Sequence, residues 1–234
     1  MSKSVGPIDV AGNVARVRER IAWAADRAGR RPEEIKLVAV SKLMGAERVR
    51  EALAAGVTEI GENYVQEAAA KRSEVGEGAR WHLVGHLQRN KAGSAAAIFD
   101  MIQTVDRVRI AEAIGRRTEA DGRTMEVLLQ VNTSGEESKF GARPEEVEGL
   151  LEAVNAVRGV RVEGLMTIGA WDPDPERARP EFRLLADLAR RLEDRTGVEI
   201  KWLSMGMSHD FEAAIEEGAN LVRIGTGIFG PRPR

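Results

Sequence analysis

Short apolar runs alternate with helix-patterned segments eight times along this chain, and that alternation restricts the fold more than any other feature. The runs cover residues 37–40, 57–61, 81–85, 101–105, 126–132, 160–168, 200–204 and 221–224. Each is nearly continuous in apolar residues, as strands buried on both faces are. Segments 47–55, 65–74, 107–120, 144–157, 175–196 and 208–217 between them read as helices. Pro144 falls early in its segment, where a first-turn proline belongs. A further helix precedes the first strand over 8–28. There Val10, Val14, Val17, Ile21 and Ala25 recur at helical spacing, Gly29 stands where a C-terminal cap belongs, and Pro32 follows. Eight such units in 234 residues predict a single-domain (β/α)8 TIM barrel, residues 1–234, with an extra N-terminal helix. A doubly wound open sheet is the competing architecture. No Gly-x-Gly-x-x-Gly follows the first strand, which argues against dinucleotide binding.

Composition narrows the function classes. The 35 basic and 37 acidic residues nearly cancel, with a net charge of −2, so no basic excess points to nucleic acid or an anionic membrane surface. No cysteine is present, which rules out disulfides and thiolate chemistry and fits a reducing compartment. Residues 1–10 lack the apolar core of a signal peptide, and no apolar run has the length of a membrane span. A cytoplasmic protein is expected.

In a barrel of this type the active site lies at the carboxyl ends of the strands. The predicted strand ends carry Lys42, Asn63, His82 to His86, Asp106, Asn132, Met166-Thr167, Ser204 to Ser208 and Arg223 to Thr226. A lysine just past a buried strand can lose solvent, and an amine whose pKa falls in this way can attack a carbonyl to form a Schiff base. The run Arg223-Ile224-Gly225-Thr226-Gly227 follows the last strand, where glycines let backbone N–H groups cradle a phosphate. Ser208 is expected to cap the helix that follows it and add to the anion site. A Schiff-base lysine beside a phosphate cradle is what pyridoxal 5′-phosphate (PLP) requires. His82 and His86 lie in a strand with no third ligand at metal spacing, so no metal site is expected. The loop Asn132 to Lys139 reads either as polar cover over the barrel mouth or as a solvated loop, the latter favoured for Glu136 and Glu137, and Trp171-Asp172-Pro173-Asp174-Pro175 reads as a connection only.

These residues resemble the pyridoxal phosphate homeostasis proteins, single-domain members of the alanine-racemase-like (fold-type III) barrels. The resemblance runs nearly end to end. It rests on Val40-Ser41-Lys42, Gly61-Glu62-Asn63-Tyr64-Val65-Gln66-Glu67, the run from Trp81-His82 to Asn90-Lys91, Val131-Asn132, Ser138-Lys139, Gly164-Leu165-Met166, Leu203-Ser204-Met205-Gly206-Met207-Ser208 and Arg223 to Gly230. It implies that Lys42 holds PLP as a Schiff base and that Arg223 faces the pyridine nitrogen. It places Ser208, Gly225 and Thr226 on the phosphate, with Ser204 close by and Asn63 near the ring. Two stretches depart from the family pattern, Leu43-Met44-Gly45 after the lysine and Gln103-Thr104-Val105-Asp106 at the fourth strand, and both bear on how the mouth of the site is lined. The resemblance implies a PLP carrier or regulator without established turnover, a monomer, with apo forms of PLP enzymes as further partners. The chain as given ends at Arg234, and a second domain supplying an acid/base, as in alanine racemases, is expected to be absent. Two other readings stay open: a weak PLP-dependent amino-acid racemase using Tyr64 or His86, and a PLP-independent Schiff-base lyase.

Overall fold

A computed structural model describes residues 8–231. The N-terminal leader reading falls largely on residues 1–7, outside the described residues. Helix α1 (Val10–Arg27) comes first, followed by β1 (Lys36–Val40), α2 (Ala46–Ala54), β2 (Glu59–Glu62), α3 (Val65–Val75) and β3 (Arg80–Leu83). Next are α4 (Ala92–Ile98), β4 (Met101–Val105), α5 (Val108–Ala120), β5 (Met125–Gln130), α6 (Val147–Asn155) and β6 (Val160–Met166). The chain closes with α7 (Arg179–Thr196), β7 (Trp202–Ser204), α8 (Phe211–Glu216), β8 (Leu221–Ile224) and α9 (Thr226–Phe229). The eight strands are parallel and form a closed barrel in chain order, β8 returning to pair with β1. This is the predicted TIM barrel.

Strand residues divide between two cores. Ala39, Ile60, Trp81, Leu83, Ile102, Val127, Leu129, Leu165, Val222 and Ile224 face outward and pack beneath the helices. Val38, Met101, Leu128, Met166 and Leu221 form a smaller cluster inside the barrel. The interior positions not filled by that cluster include Glu59, His82, Gln103, Ser204 and Arg223, all buried. Gly61 is part of this filling. A Cβ there would lie 3.0 Å from Val38 Cγ1 and 3.1 Å from Val40 Cγ2, so only glycine leaves room for both valines.

Helix α1 lies over the seam where the first and last units meet, burying Val10, Val14, Val17 and Ile21. Asp9 caps it by accepting from the Gly12 N–H, and Asn13 donates to the Ile228 carbonyl across the seam. Each buried aliphatic side chain of that face contributes roughly 1.5–3 kcal/mol.

Several local readings change. Helix α4, in the stretch between β3 and β4 where the sequence reading placed none, is made of Ala92-Gly93-Ser94-Ala95-Ala96-Ala97-Ile98. Pro144 and Pro175 open single 3₁₀ turns ahead of α6 and α7. Ser208 does not cap a helix. Helix α8 starts three residues later with Asp210 at its N-cap, because Asp210 turns back to accept from the Met207 N–H.

Candidate functional site

The strand ends of β1, β2, β6, β7 and β8 surround a cleft of about 380 Å³. Its walls include Lys42, Asn63, Ser208, Arg223, Gly225 and Thr226, so six of the seven expected site residues meet in one place. The seventh, Ser204, is fully buried beneath the cleft and reaches it through Arg223. Apolar walls come from Val40, Met44, Val84 and Ile168, a lining suited to a flat ring.

A buried ionic cluster fixes the backbone around Lys42. The Lys71 ammonium donates to the Ser41 carbonyl (2.6 Å), to Glu62 (2.7 Å) and to Glu67 (2.6 Å). The Ser41 hydroxyl donates to the same Glu62 carboxylate, and the Leu43 N–H donates to Glu67. Both chain neighbours of Lys42 are therefore tied to β2 and α3. Leu43 has φ 64°, a left-handed conformation that costs a non-glycine residue roughly 1–2 kcal/mol. The bond to Glu67 helps hold it there. Burial pushes the Glu62 carboxyl above the usual carboxylate range, against the hydrogen bonds from Lys71 and Ser41.

The phosphate-type cradle has a different construction from the expected helix cap. The N–H groups of Gly225 (3.3 Å) and Gly227 (3.2 Å) both donate to the Ser208 hydroxyl oxygen. A hydroxyl has two acceptor sites and one proton. With both acceptors occupied, the Ser208 proton is available to a ligand oxygen in the cleft. The loop that presents Ser208 depends on Gly206. Its φ is 88°, and a Cβ there would fall 2.6 Å from Ala214 Cβ and 2.8 Å from Phe211 Cα.

Arg223 is the floor of the cleft. Its guanidinium donates to the Ser204 hydroxyl (2.7 Å) and to the Thr167 carbonyl (2.7 Å), both neutral acceptors. Among the described residues no carboxylate is hydrogen-bonded to it. Burial lowers its pKa to about 10, and the more distant Asp210 opposes that shift. The group stays cationic at neutral pH and can only donate.

Two cleft residues were not expected. Trp171, in the loop read as a connection, lines the cleft although 77% exposed. Its loop is tied down by the Ala170 N–H on Glu181 and by Lys139 on the Gly169 carbonyl. His209 also lines the cleft, its Nε2 within 3.0 Å of the Pro173 carbonyl. Lys139 belongs to the loop expected over the mouth, and its bond to Gly169 is the signal that this loop acts on its neighbour. Tyr64 and His86 do not line the cleft. Tyr64 is 56% exposed, and His86 stacks on Phe140 with ring centroids 3.6 Å apart. Of the two departures from the family pattern, Met44 does line the cleft. Gln103 does not line it. It is fully buried in the barrel interior, while Thr104 donates to the Gly85 carbonyl.

This arrangement of lysine, neutral-held cation and hydroxyl cradle suits a ligand with a carbonyl, a basic ring nitrogen and a phosphate. Comparisons with known proteins agree. The family described as the alanine racemase N-terminal domain matches residues 13–233. A pyridoxal phosphate homeostasis protein of Pseudomonas aeruginosa is 45% identical over 224 residues, covering 95% of this chain and 96% of that protein. The protein of that name from Escherichia coli K12 is 43% identical over 228 residues, covering 96% and 97%. Among solved structures, PipY of Synechococcus elongatus with PLP bound is 34% identical, with a TM-score of 0.84 over 94% of this chain and 100% of that one. Alanine racemase of Clostridium difficile shares the fold at 19% identity and a TM-score of 0.75, this chain covering 57% of it.

Proposed function

The chain belongs to the pyridoxal phosphate homeostasis proteins, within the alanine racemase N-terminal domain family, and from that premise we propose that it binds PLP in the mouth cleft, covalently through Lys42, as a carrier or regulator of the cofactor. The observation that carries this reading is the joint placement of Lys42, Arg223, Ser208, Gly225 and Thr226 on one cleft. Bound PLP supplies an aldehyde that condenses with a primary amine, releasing water, and a pyridine ring that withdraws electrons when its nitrogen is protonated. Lys42 provides the amine, on a backbone pinned by Lys71, Glu62 and Glu67. The Ser208 hydroxyl would donate to the phosphate, beside Gly225 and Thr226 on the same cleft wall. Asn63 lines the same cleft and would face the ring.

Arg223 bears on turnover. PLP enzymes that stabilise carbanions strongly keep the ring nitrogen protonated, with a carboxylate partner. A guanidinium that stays charged at neutral pH would donate to a ring nitrogen set against it and leave that nitrogen unprotonated, which would weaken the electron sink. The two side chains considered as a second acid/base, Tyr64 and His86, lie off the cleft. Both points support a holding role over racemisation. A cysteine-free sequence is in keeping with a cytoplasmic setting. The reading extends to a monomer that passes its cofactor to apo forms of PLP enzymes.

The test is the visible spectrum of the purified protein, with and without added PLP, for wild type and Lys42→Ala. A band typical of PLP bonded to a lysine, removed by borohydride and missing in the variant, is the expected result. No band in either protein refutes the proposal. D- and L-amino-acid turnover above the free-cofactor background would favour the racemase. A cofactor-free protein that borohydride traps with a keto acid would favour the lyase.

A further inference from the structure

A continuous line of hydrogen bonds crosses the barrel interior. It begins at Arg223, whose guanidinium donates to Ser204 Oγ at 2.7 Å. Ser204 Oγ donates to Gln103 Oε1 at 2.7 Å. Gln103 Nε2 lies 2.9 Å from His82 Nδ1, and His82 Nε2 lies 2.6 Å from Glu59 Oε2. The other Glu59 oxygen meets Lys36 Nζ at 3.4 Å. Glu59, His82, Gln103, Ser204 and Arg223 are each no more than 6% exposed. Lys36 and Glu59 line a separate cleft at the amino ends of β1 and β2, whereas Arg223 lines the cofactor cleft at the opposite mouth.

The chemistry of the groups fixes a direction. Arginine can only donate, and an ionised carboxylate can only accept. With both ends fixed, one arrangement gives every proton between them an acceptor. Ser204 accepts from Arg223 and donates to Gln103 Oε1. The Gln103 amide donates to a bare His82 Nδ1, and His82 Nε2–H donates to Glu59. A proton on His82 Nδ1 would force the Gln103 amide to turn over and offer its NH2 to Ser204. The Ser204 hydroxyl proton would then lose its acceptor in a buried site, where an unpaired polar group is costly.

We propose that Ser204, Gln103 and His82 are positioning residues for the cofactor cleft: their one-way relay, anchored on Glu59, holds the Arg223 guanidinium in place as a donor toward the ligand. The ligand half of this statement rests on the PLP reading above; the relay itself does not. None of the three lines the cleft itself, and only Ser204 touches a lining residue, Arg223, so their effect on a ligand must pass through that arginine.

Two measurements test it. Nitrogen-15 NMR of the histidine rings in the cofactor-free protein is tractable because the chain has three histidines. The expected spectrum shows His82 with a protonated Nε2 and a bare Nδ1. A proton on Nδ1 overturns the relay direction, whether or not PLP binds. The second is PLP affinity by fluorescence titration. Gln103→Leu removes the acceptor for Ser204 and is expected to weaken binding roughly tenfold, the scale of one buried hydrogen bond. Gln103→Glu keeps that acceptor and restores the affinity, while placing a second proton on His82 that NMR detects. Wild-type affinity in Gln103→Leu, or no recovery in Gln103→Glu, overturns the positioning role. A wild-type protein that fails to bind PLP sinks the cofactor reading and leaves the ring spectrum to decide the relay.

Discussion

Replacing Lys71 by methionine tests the platform that holds Lys42. The side chain of Lys71 is 7% exposed and that of its partner Glu62 is fully buried. Methionine keeps most of the volume but deletes the three bonds to Ser41, Glu62 and Glu67. Breaking a buried ion pair from one side leaves an uncompensated charge and costs roughly 3–5 kcal/mol. At about 2–4 °C per kcal/mol for a domain of this size, Tm falls by roughly 6–20 °C. The loss depends on pH in a defined direction. Burial already raises the Glu62 carboxyl above its ordinary pKa, and the variant loses the Lys71 interactions that pull it down. A carboxyl raised in the folded state favours folding below its unfolded pKa, about 4.3, and that advantage disappears as pH rises through the folded value. The deficit of the variant is therefore small near that pKa and grows toward neutrality. Urea unfolding followed by circular dichroism, at about pH 5 and about pH 8, measures both the size and the trend. Adding Glu62→Gln removes the stranded charge and recovers part of the loss, a coupling the double-mutant cycle reads directly. A deficit below about 1 kcal/mol, or one that does not change with pH, would refute a buried Lys71–Glu62 ion pair. Because Ser41 and Leu43 flank Lys42, the folded variant is also expected to take up PLP more weakly.

Three further outcomes are expected. Ser208→Ala removes a hydroxyl proton available to the cleft and should raise the Kd for PLP roughly 10- to 100-fold while leaving that for unphosphorylated pyridoxal unchanged; equal losses for both ligands would move the phosphate elsewhere. Gly206→Ala forces a Cβ against Ala214 and the Phe211 backbone at a positive φ, and should lower stability by about 2 kcal/mol or more in thermal unfolding, whereas Gly149→Ala, which meets nothing within 4 Å, should not. Tyr64→Phe and His86→Ala should leave PLP affinity within about twofold of wild type, since neither side chain lines the cleft; a large loss in either would reopen the racemase reading.

How much of this was visible in the sequence depends on whether a signal is local. The fourth and eighth strands occupy the predicted 101–105 and 221–224, because short, mostly apolar runs closed by Asp106 and Gly225 are a local pattern even with polar residues inside them. Helix α4 carried no such pattern: its run of alanine, glycine and serine has no contrast between faces, and tertiary packing against α5 makes it a helix. Ser208 was legible as a site residue but not in its role. The cap preference of serine is a statistical prior, whereas its acceptance of two N–H groups from the start of α9, seventeen and nineteen residues away, exists only in the closed barrel. Trp171 was missed for the same reason, since a loop carrying Pro173 and Pro175 shows no sign of the cleft it leans over.

The interior relay marks the boundary most clearly. Glu59, His82, Gln103, Ser204 and Arg223 each interrupt an apolar strand, and each interruption alone reads as a strand end or a tolerated polar residue. Their spacing, 23, 21, 101 and 19 residues from one to the next, has no local periodicity. What they share is an inward position in five different strands. A closed barrel brings those positions together, and a buried arginine needs them. Its desolvation is severe enough to lower its pKa to about 10, so the neutral acceptors around it must be held in one orientation. The same barrel closure that sets Lys42 at the mouth thus requires an ordered polar interior beneath it, and a polar residue at an inward position of an otherwise apolar strand is the sequence signal that such an interior leaves.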